Sequence, residues 1–200
     1  MPEFHLNTPI PLAELKNIRI GDIVYVSGII ITARDEAHVK ALEWHKENKS
    51  LPVNFNGNGL FHSGPIMKKN KQNVWEVVAA GSTTSARMEL FEDEFITVFH
   101  PGIIIGKGGM GVRTTKACQE ETCIYGYFTG GAALLAADRI KKVKDVFWLE
   151  DLGMPECLWV YEVEDFGPLI ITIDSYGGNL SIQRNQHIEA NMKKILEELH

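Results

Sequence analysis

The stretch GDIVYVSGIIITARDEAHVKALEWHKENK (21–49) changes its period once, and that change constrains the fold more than any other feature of the chain. Residues 21–33 form a β-branched run, the pattern of a strand, with Gly28 marking a bend or bulge. Residues 34–49 read as a helix that offers Ala37, Ala41, Leu42 and Trp44 for burial. A strand that feeds directly into a helix is half of a parallel crossover unit. The succession recurs. VWEVVAA (74–80) precedes a predicted helix from about Thr84 to Phe99, GIIIG (102–106) precedes the helical TTKACQEE, and CIYGYF (123–128) precedes the small-residue helix GGAALLAADRIKK. Three strands follow, VKDVFWLE, CLWVYEVEDF and PLIITIDS, and an amphipathic helix at about 183–199 closes the chain. The expectation is an α/β fold over residues 1–200: one domain, a mixed sheet with flanking helices.

Bulk properties narrow the function. A net charge of −6 argues against a generic nucleic-acid or anionic-membrane binder. No apolar run reaches the ~18 residues of a membrane span. MPEFHLNTPIPLAEL has no basic segment followed by an apolar one, so no secretory signal is expected. Cys118, Cys123 and Cys157 are odd in number and lack CxxC spacing, which fits reduced cytoplasmic thiols and not a self-contained zinc or iron–sulfur site. The seven histidines show no HxH or HExxH pattern, so no metal site of the chain's own is expected.

Three cations stand at strand-to-helix junctions: Arg34 after GIIITA, Arg87 in GSTTSARME, and Lys107 in GKGGMG. The edge beyond the carboxyl ends of strands is where α/β sheets bind ligands. Helix starts and glycine loops there offer unpaired N–H groups. A cation beside such donors is disfavoured when the site is empty and favoured once an anion is held by both. An Arg–carboxylate fork adds directed hydrogen bonds. The three cations therefore point to a small molecule with more than one carboxylate or phosphate. Taken singly, each is more often a solvated side chain.

Thr83 and Arg87 are four apart and would share a face of an α-helix, as would Arg34 and His38. A hydroxyl or imidazole beside a bound anion can move a proton, although threonine needs a neighbour to take its own. The competing readings are a helix cap for Thr83 and a half-buried helix histidine for His38. Asp35 is either a first-turn acid or an arginine's partner. Gly106, Gly108 and Gly111 match G-x-G-x-x-G, but the next strand ends YGYFTGG without the acid that a dinucleotide ribose needs. Nor is GIIIGKGG a Walker A loop: its spacing is one short and no Ser or Thr follows Lys107.

The motifs TARDEAH, HSGPI, GSTTSARM, GKGGM, GGAALLAA, LGMPE and FGPLIITIDSYGGN, in this order, resemble the β component of the class I, iron–sulfur-dependent hydro-lyases, the two-subunit fumarate hydratases and L(+)-tartrate dehydratases. The resemblance runs from about Leu6 to Leu180. It implies a swivelling β/β/α fold and reversible hydration or dehydration of a C4 dicarboxylate. It also implies a [4Fe-4S] cluster held by three cysteines of a separate α subunit, and not by this chain. The partner would be that α subunit, in a heterodimer or α2β2 assembly in the cytoplasm, without nucleic acid or membrane. Residue by residue, the resemblance puts substrate contacts on Arg34, Thr83, Thr84, Ser85, Arg87 and Lys107. It puts the general base on Thr83, assisted by a partner Asp, and a further active-site candidate on His38. Ser82 stands where the family pattern has proline, which loosens the approach to Thr83 or offers a cap. GKGGMG, LGMPECLW and FGPLI lean toward tartrate, dehydrated to oxaloacetate and water, over fumarate and malate. A non-catalytic partner-binding module on the same fold is the alternative of another class.

Overall fold

The computed structural model describes residues 2–129 and 131–198. Gly130, placed in the sequence-predicted fourth helix, and residue 199 of the closing helix lie outside them. The elements in chain order are β1 (Glu3–Asn7), α1 (Leu12–Leu15), β2 (Ile23–Thr32), α2 (Asp35–Lys46), β3 (Gly59–Phe61), β4 (Ile66–Lys69), β5 (Trp75–Ala79), a 3-10 helix (Ser85–Leu90), α3 (Glu92–Phe99), β6 (Ile103–Gly106), α4 (Val112–Glu121), β7 (Ile124–Tyr127), α5 (Ala133–Arg139), β8 (Ile140–Phe147), α6 (Leu149–Leu152), β9 (Leu158–Ile173) and α7 (Leu180–Glu198).

The main sheet has the order β1-β2-β3-β6-β7-β9-β8, and β9 also pairs with β2. Strands β2, β3, β6 and β7 are mutually parallel, and β9 runs antiparallel to both β7 and β2. Those five strands therefore close into a barrel, with β1 and β8 as outer edges. The mixed α/β architecture expected from the strand–helix alternation is present.

Alternation along each strand divides the core. Ile30, Phe61, Ile103 and Ile105 join one apolar cluster with Trp159, Tyr161 and Phe166. Their neighbours Ile31, Leu60 and Ile104 join a second, with Ala37, Ala41, Phe95 and Ala117 from α2, α3 and α4. Strands buried on both faces need continuous apolar sequence, which is why GIIIG and GIIIT carry no polar alternation.

Four features differ from the sequence reading. First, CLWVYEVEDF and PLIITIDS are one strand, because β9 continues through Gly167 and Pro168 and shifts register against β2 and β7. Second, β1 was not anticipated. It is five residues long and lies parallel to β2. Third, VWEVVAA does not enter the main sheet but pairs with β4 in a separate two-stranded sheet. Fourth, the helix expected from about Thr84 to Phe99 is broken at Phe91 (φ −139, ψ −1), leaving a 3-10 helix before it and α3 after it. A 3-10 turn eclipses residues three apart. Thr84, whose carbonyl accepts from Arg87 N–H at 3.4 Å, is therefore the residue below Arg87, and Thr83 stays outside the helix.

Candidate active site

Because β2, β3 and β6 are parallel neighbours, their carboxyl ends open on one edge. Arg34 follows β2 in extended conformation, immediately before α2. His62 and Ser63 follow β3, and Lys107 follows β6. The segment Ser82–Ser85 arrives from the separate hairpin and is stitched into this edge from both sides. Ser63 bridges Ser82, and Thr84 bridges Lys107. Thr83 N–H donates to the His62 carbonyl at 2.7 Å, Lys107 N–H to the Thr83 carbonyl at 3.2 Å, and Ser85 N–H to the Lys107 carbonyl at 2.9 Å. Arg34 crosses over Gly64, where any Cβ would lie 2.6 Å from its Nη1. Arg34 and Arg87 meet on one atom: their Nη2 nitrogens lie 4.0 and 2.8 Å from Asp35 Oδ2. Arg34, Thr83, Thr84, Ser85, Arg87 and Lys107 thus share one edge.

The cations are not bare. Arg34 also contacts Glu156 at 3.0 Å. Among the described residues Lys107 has no acidic partner, so three cations and two acids leave the edge one charge positive. The acids act more as tethers than as full neutralisers. None of these contacts has hydrogen-bond alignment, and the buried Arg34 Nε has no partner. The Arg87 side chain is 53% exposed against 18% for Arg34, so Arg87 is the guanidinium with room for an incoming carboxylate fork. The Thr83 hydroxyl makes no side-chain hydrogen bond among the described residues, and Thr84 is exposed.

The unpaired N–H groups expected at the helix starts are, in contrast, occupied. Glu156 accepts from Glu36 N–H at the start of α2 at 3.2 Å. Glu89 accepts from the N–H groups of Gly111, Arg113 and Thr114 at 2.7, 3.1 and 3.4 Å and from the Thr114 hydroxyl at 2.7 Å. An internal carboxylate sits where a dinucleotide would put its pyrophosphate, which disposes of the G-x-G-x-x-G match. Glu89→Ala is expected to lower stability by about 1–2 kcal/mol, the range for a lost N-terminal cap with a charge component. Thermal denaturation reads it directly, and an unchanged Tm would remove this role.

His38 lies under the edge. It is fully buried, packs on Phe95 (4.4 Å between centroids) and Phe91, and points its Nε2 at Glu92 Oε2, 3.4 Å away. His62 Nε2 reaches the same oxygen at 3.2 Å. Burial alone would raise the Glu92 carboxyl, but His62 and His38 outweigh it and hold the group at about 2. His38 Nδ1 meets the Arg34 carbonyl at 2.8 Å, and His62 Nδ1 meets Ser85 Oγ at 2.9 Å. The Tyr125 hydroxyl reaches Ser85 Oγ at 2.9 Å and the Gly108 carbonyl at 3.1 Å. Sequence reasoning missed His62, Glu92 and Tyr125. One signal was available: Glu92 shares a helical face with Phe95, Ile96 and Phe99, so an acid there is aimed into the core.

The cysteines do not fit a cluster. All three are buried and free. The neighbouring Cys123 thiol and burial push the Cys118 thiol up, and burial pushes Cys157 up to about 12. Cluster ligation needs accessible thiolates.

Comparison with known proteins gives four findings. The Fumarase C-terminus family model matches residues 2–183. The L(+)-tartrate dehydratase subunit beta of Escherichia coli (strain K12) is 42% identical over 194 residues, covering 97% of this chain and 94% of that protein. A Methanocaldococcus jannaschii protein provisionally given the same name is 42% identical over 183 residues, 92% and 93% of the two chains. A Geobacillus stearothermophilus protein provisionally named fumarate hydratase class I is 40% identical over 175 residues, 88% of this chain but 33% of that protein. Among the described residues no helix is long and apolar enough to cross a membrane.

Proposed function

The chain belongs to the Fumarase C-terminus family, and from that premise we propose that it is the β subunit of a cytoplasmic iron–sulfur hydro-lyase that dehydrates a C4 dicarboxylate, L(+)-tartrate in the first instance. The observation that carries the reading is the meeting of Arg34 and Arg87 on Asp35, at the same strand edge as Lys107 and Thr83. The length supports a separate subunit: tartrate dehydratase β chains align nearly end to end with this one, whereas the fumarate hydratase is three times longer than its aligned part. Its 40% identity keeps fumarate and malate as the second reading.

In the dehydration of tartrate a C–H and the neighbouring C–OH bond break, and the resulting enol becomes oxaloacetate with release of water. The chain's own residues bind and deprotonate. Arg87 and Arg34 grip one carboxylate, with Lys107 adding positive charge along the same edge. Thr83 takes the proton from the carbon beside it. Its hydroxyl has no acceptor among the described residues, so the group that receives its proton is assigned to the α subunit. The cluster that this reading requires is assigned to that same partner, because the buried thiols of Cys118, Cys123 and Cys157 do not suit it. The single surplus positive charge fits one wall of a shared site, with the partner completing the binding of the second carboxylate.

The test is anaerobic co-assembly with the α subunit and a comparison of L-tartrate dehydration with fumarate hydration. Arg87→Ala is expected to cost about 100-fold in kcat/KM, the worth of one charge-assisted fork, with little change in Tm because the side chain is half exposed. Full activity in the assembled variant would reject the assignment, and faster turnover of fumarate would choose the second reading.

A further inference from the structure

The geometry points to Glu92 as a positioning residue whose buried carboxylate, through His38, His62, Ser85 and Tyr125, fixes the three loops of the proposed site relative to one another. This rests on the proposed function only in what the loops bind; the network itself stands on contacts within the chain. Glu92 Oε2 sits between the two Nε2 nitrogens. Each imidazole applies its other nitrogen to a different loop, His38 to the carbonyl of Arg34 and His62 to the hydroxyl of Ser85. Tyr125 continues from Ser85 to the carbonyl of Gly108, next to Lys107. One carboxylate therefore reaches the backbone or side chain at, or beside, all three cation-bearing segments, without touching solvent.

The hydrogen inventory fixes the charge. A carbonyl only accepts, so His38 Nδ1 must carry a hydrogen. Its Nε2 lies 3.4 Å from an ionised carboxylate oxygen, where a lone pair is repelled and a hydrogen is favoured even without full alignment, which makes His38 an imidazolium. With the single Tyr125 hydrogen shared between Ser85 Oγ and the Gly108 carbonyl, Ser85 donates its own to His62 Nδ1, and His62 is then neutral with its hydrogen on Nε2. Carboxylate, imidazolium and imidazole then sum to zero, the state that a dry core tolerates.

The N···O separations of 3.2–3.4 Å would also span a tetrahedral cation. A divalent ion there would leave a net charge buried between His38, Phe91 and Phe95, and among the described residues no further His, Cys, Asp or Glu joins the three as a ligand. The ionic arrangement leaves no net charge in the trio, although Glu92 Oε1 and Oε2 and both Nε2 nitrogens lack aligned hydrogen-bond partners.

Two measurements decide the proposal. In the full chain labelled with nitrogen-15, both His38 nitrogens are expected to give the imidazolium signature at pH 7. Glu92→Gln should convert His38 to the neutral tautomer with hydrogen on Nδ1, and added Zn²⁺ should change nothing. A neutral wild-type His38, or Nε2 signals that move with Zn²⁺, overturns the charge assignment, the second outcome in favour of a metal site. Tyr125→Phe, a milder change that leaves Glu92 paired, tests positioning: amide exchange at Thr83, Ser85 and Lys107 should rise about tenfold, while Ile104 stays protected. Equal effects at all four would mean general loosening and would overturn it. In the assembled enzyme Tyr125→Phe should raise KM about tenfold with kcat changed less, whereas a merely structural role lowers the active fraction and leaves KM alone. If the wild-type assembly turns over no dicarboxylate, the functional reading fails while the amide exchange still judges the positioning role.

Discussion

Gly106→Ala is expected to destabilise the chain by about 3 kcal/mol or more and to dislodge Lys107 from its neighbours. The cause is local and steric. A Cβ at this position would be driven into Ser85 Oγ, and would also lie 2.9 Å from the Tyr125 hydroxyl and 3.2 Å from His62 Nδ1. The Ser85 hydroxyl cannot swing aside cheaply, because its Oγ is held at 2.9 Å by both His62 Nδ1 and the Tyr125 hydroxyl. Overpacking alone costs ~1–3 kcal/mol, and each buried polar group left unpaired adds about 1–3 more. For a domain of this size the fall in Tm should be roughly 10 °C. The double variant Gly106→Ala with Ser85→Ala removes the obstructing oxygen and should recover more than half of the loss, a non-additivity that urea unfolding measures. Additive losses would mean that the glycine is required for some other reason.

Acid unfolding carries the second large effect. Glu92 titrates at about 2 in the folded chain against an ordinary 4.5. A carboxyl held lower when folded contributes its stabilisation in full above about 4.5 and loses it as pH falls toward 2. That loss is roughly 3 kcal/mol at about 1.36 kcal/mol per pH unit. At pH 7, Glu92→Gln removes the carboxylate that keeps His38 charged, so His38 gives up its proton and the variant loses the roughly 3 kcal/mol that the ionised carboxylate contributes. The gap between wild type and variant should therefore narrow as the pH is lowered from 4.5 to 3, followed by urea unfolding at each pH. A gap independent of pH would show that Glu92 acts through shape and not through charge.

The sequence exposes the strands that are buried on both faces, because continuous β-branched runs have few other uses. It exposes Arg34 and Lys107 for the same reason: each directly follows such a run. Arg87 reaches the edge by a different route. Its preceding strand leaves for a small hairpin, and the Thr84–Lys107 bridge returns the segment. No local pattern encodes a tertiary bridge of that kind. The break at Phe91 is likewise invisible to periodicity, since Arg87, Met88 and Phe91 fit a continuous helix well. What overrides the pattern is the requirement that Glu92 face His38 and His62. The acids beside the arginines were half legible. Asp35 was legible as either a first-turn acid or an arginine's partner, whereas Glu156 is more than a hundred residues from Arg34 and could not be paired from spacing.

Strand β9 spans sixteen residues and serves β8, β7 and β2 at once. During synthesis it leaves the ribosome after more than three-quarters of the chain, so β2 must wait for a mate that has not yet been made. The barrel therefore cannot seal stepwise from its amino end. Folding is expected to be slow and dominated by distant pairings, and a nascent chain stopped before residue 158 would offer β2 and β7 as unpaired edges open to aggregation.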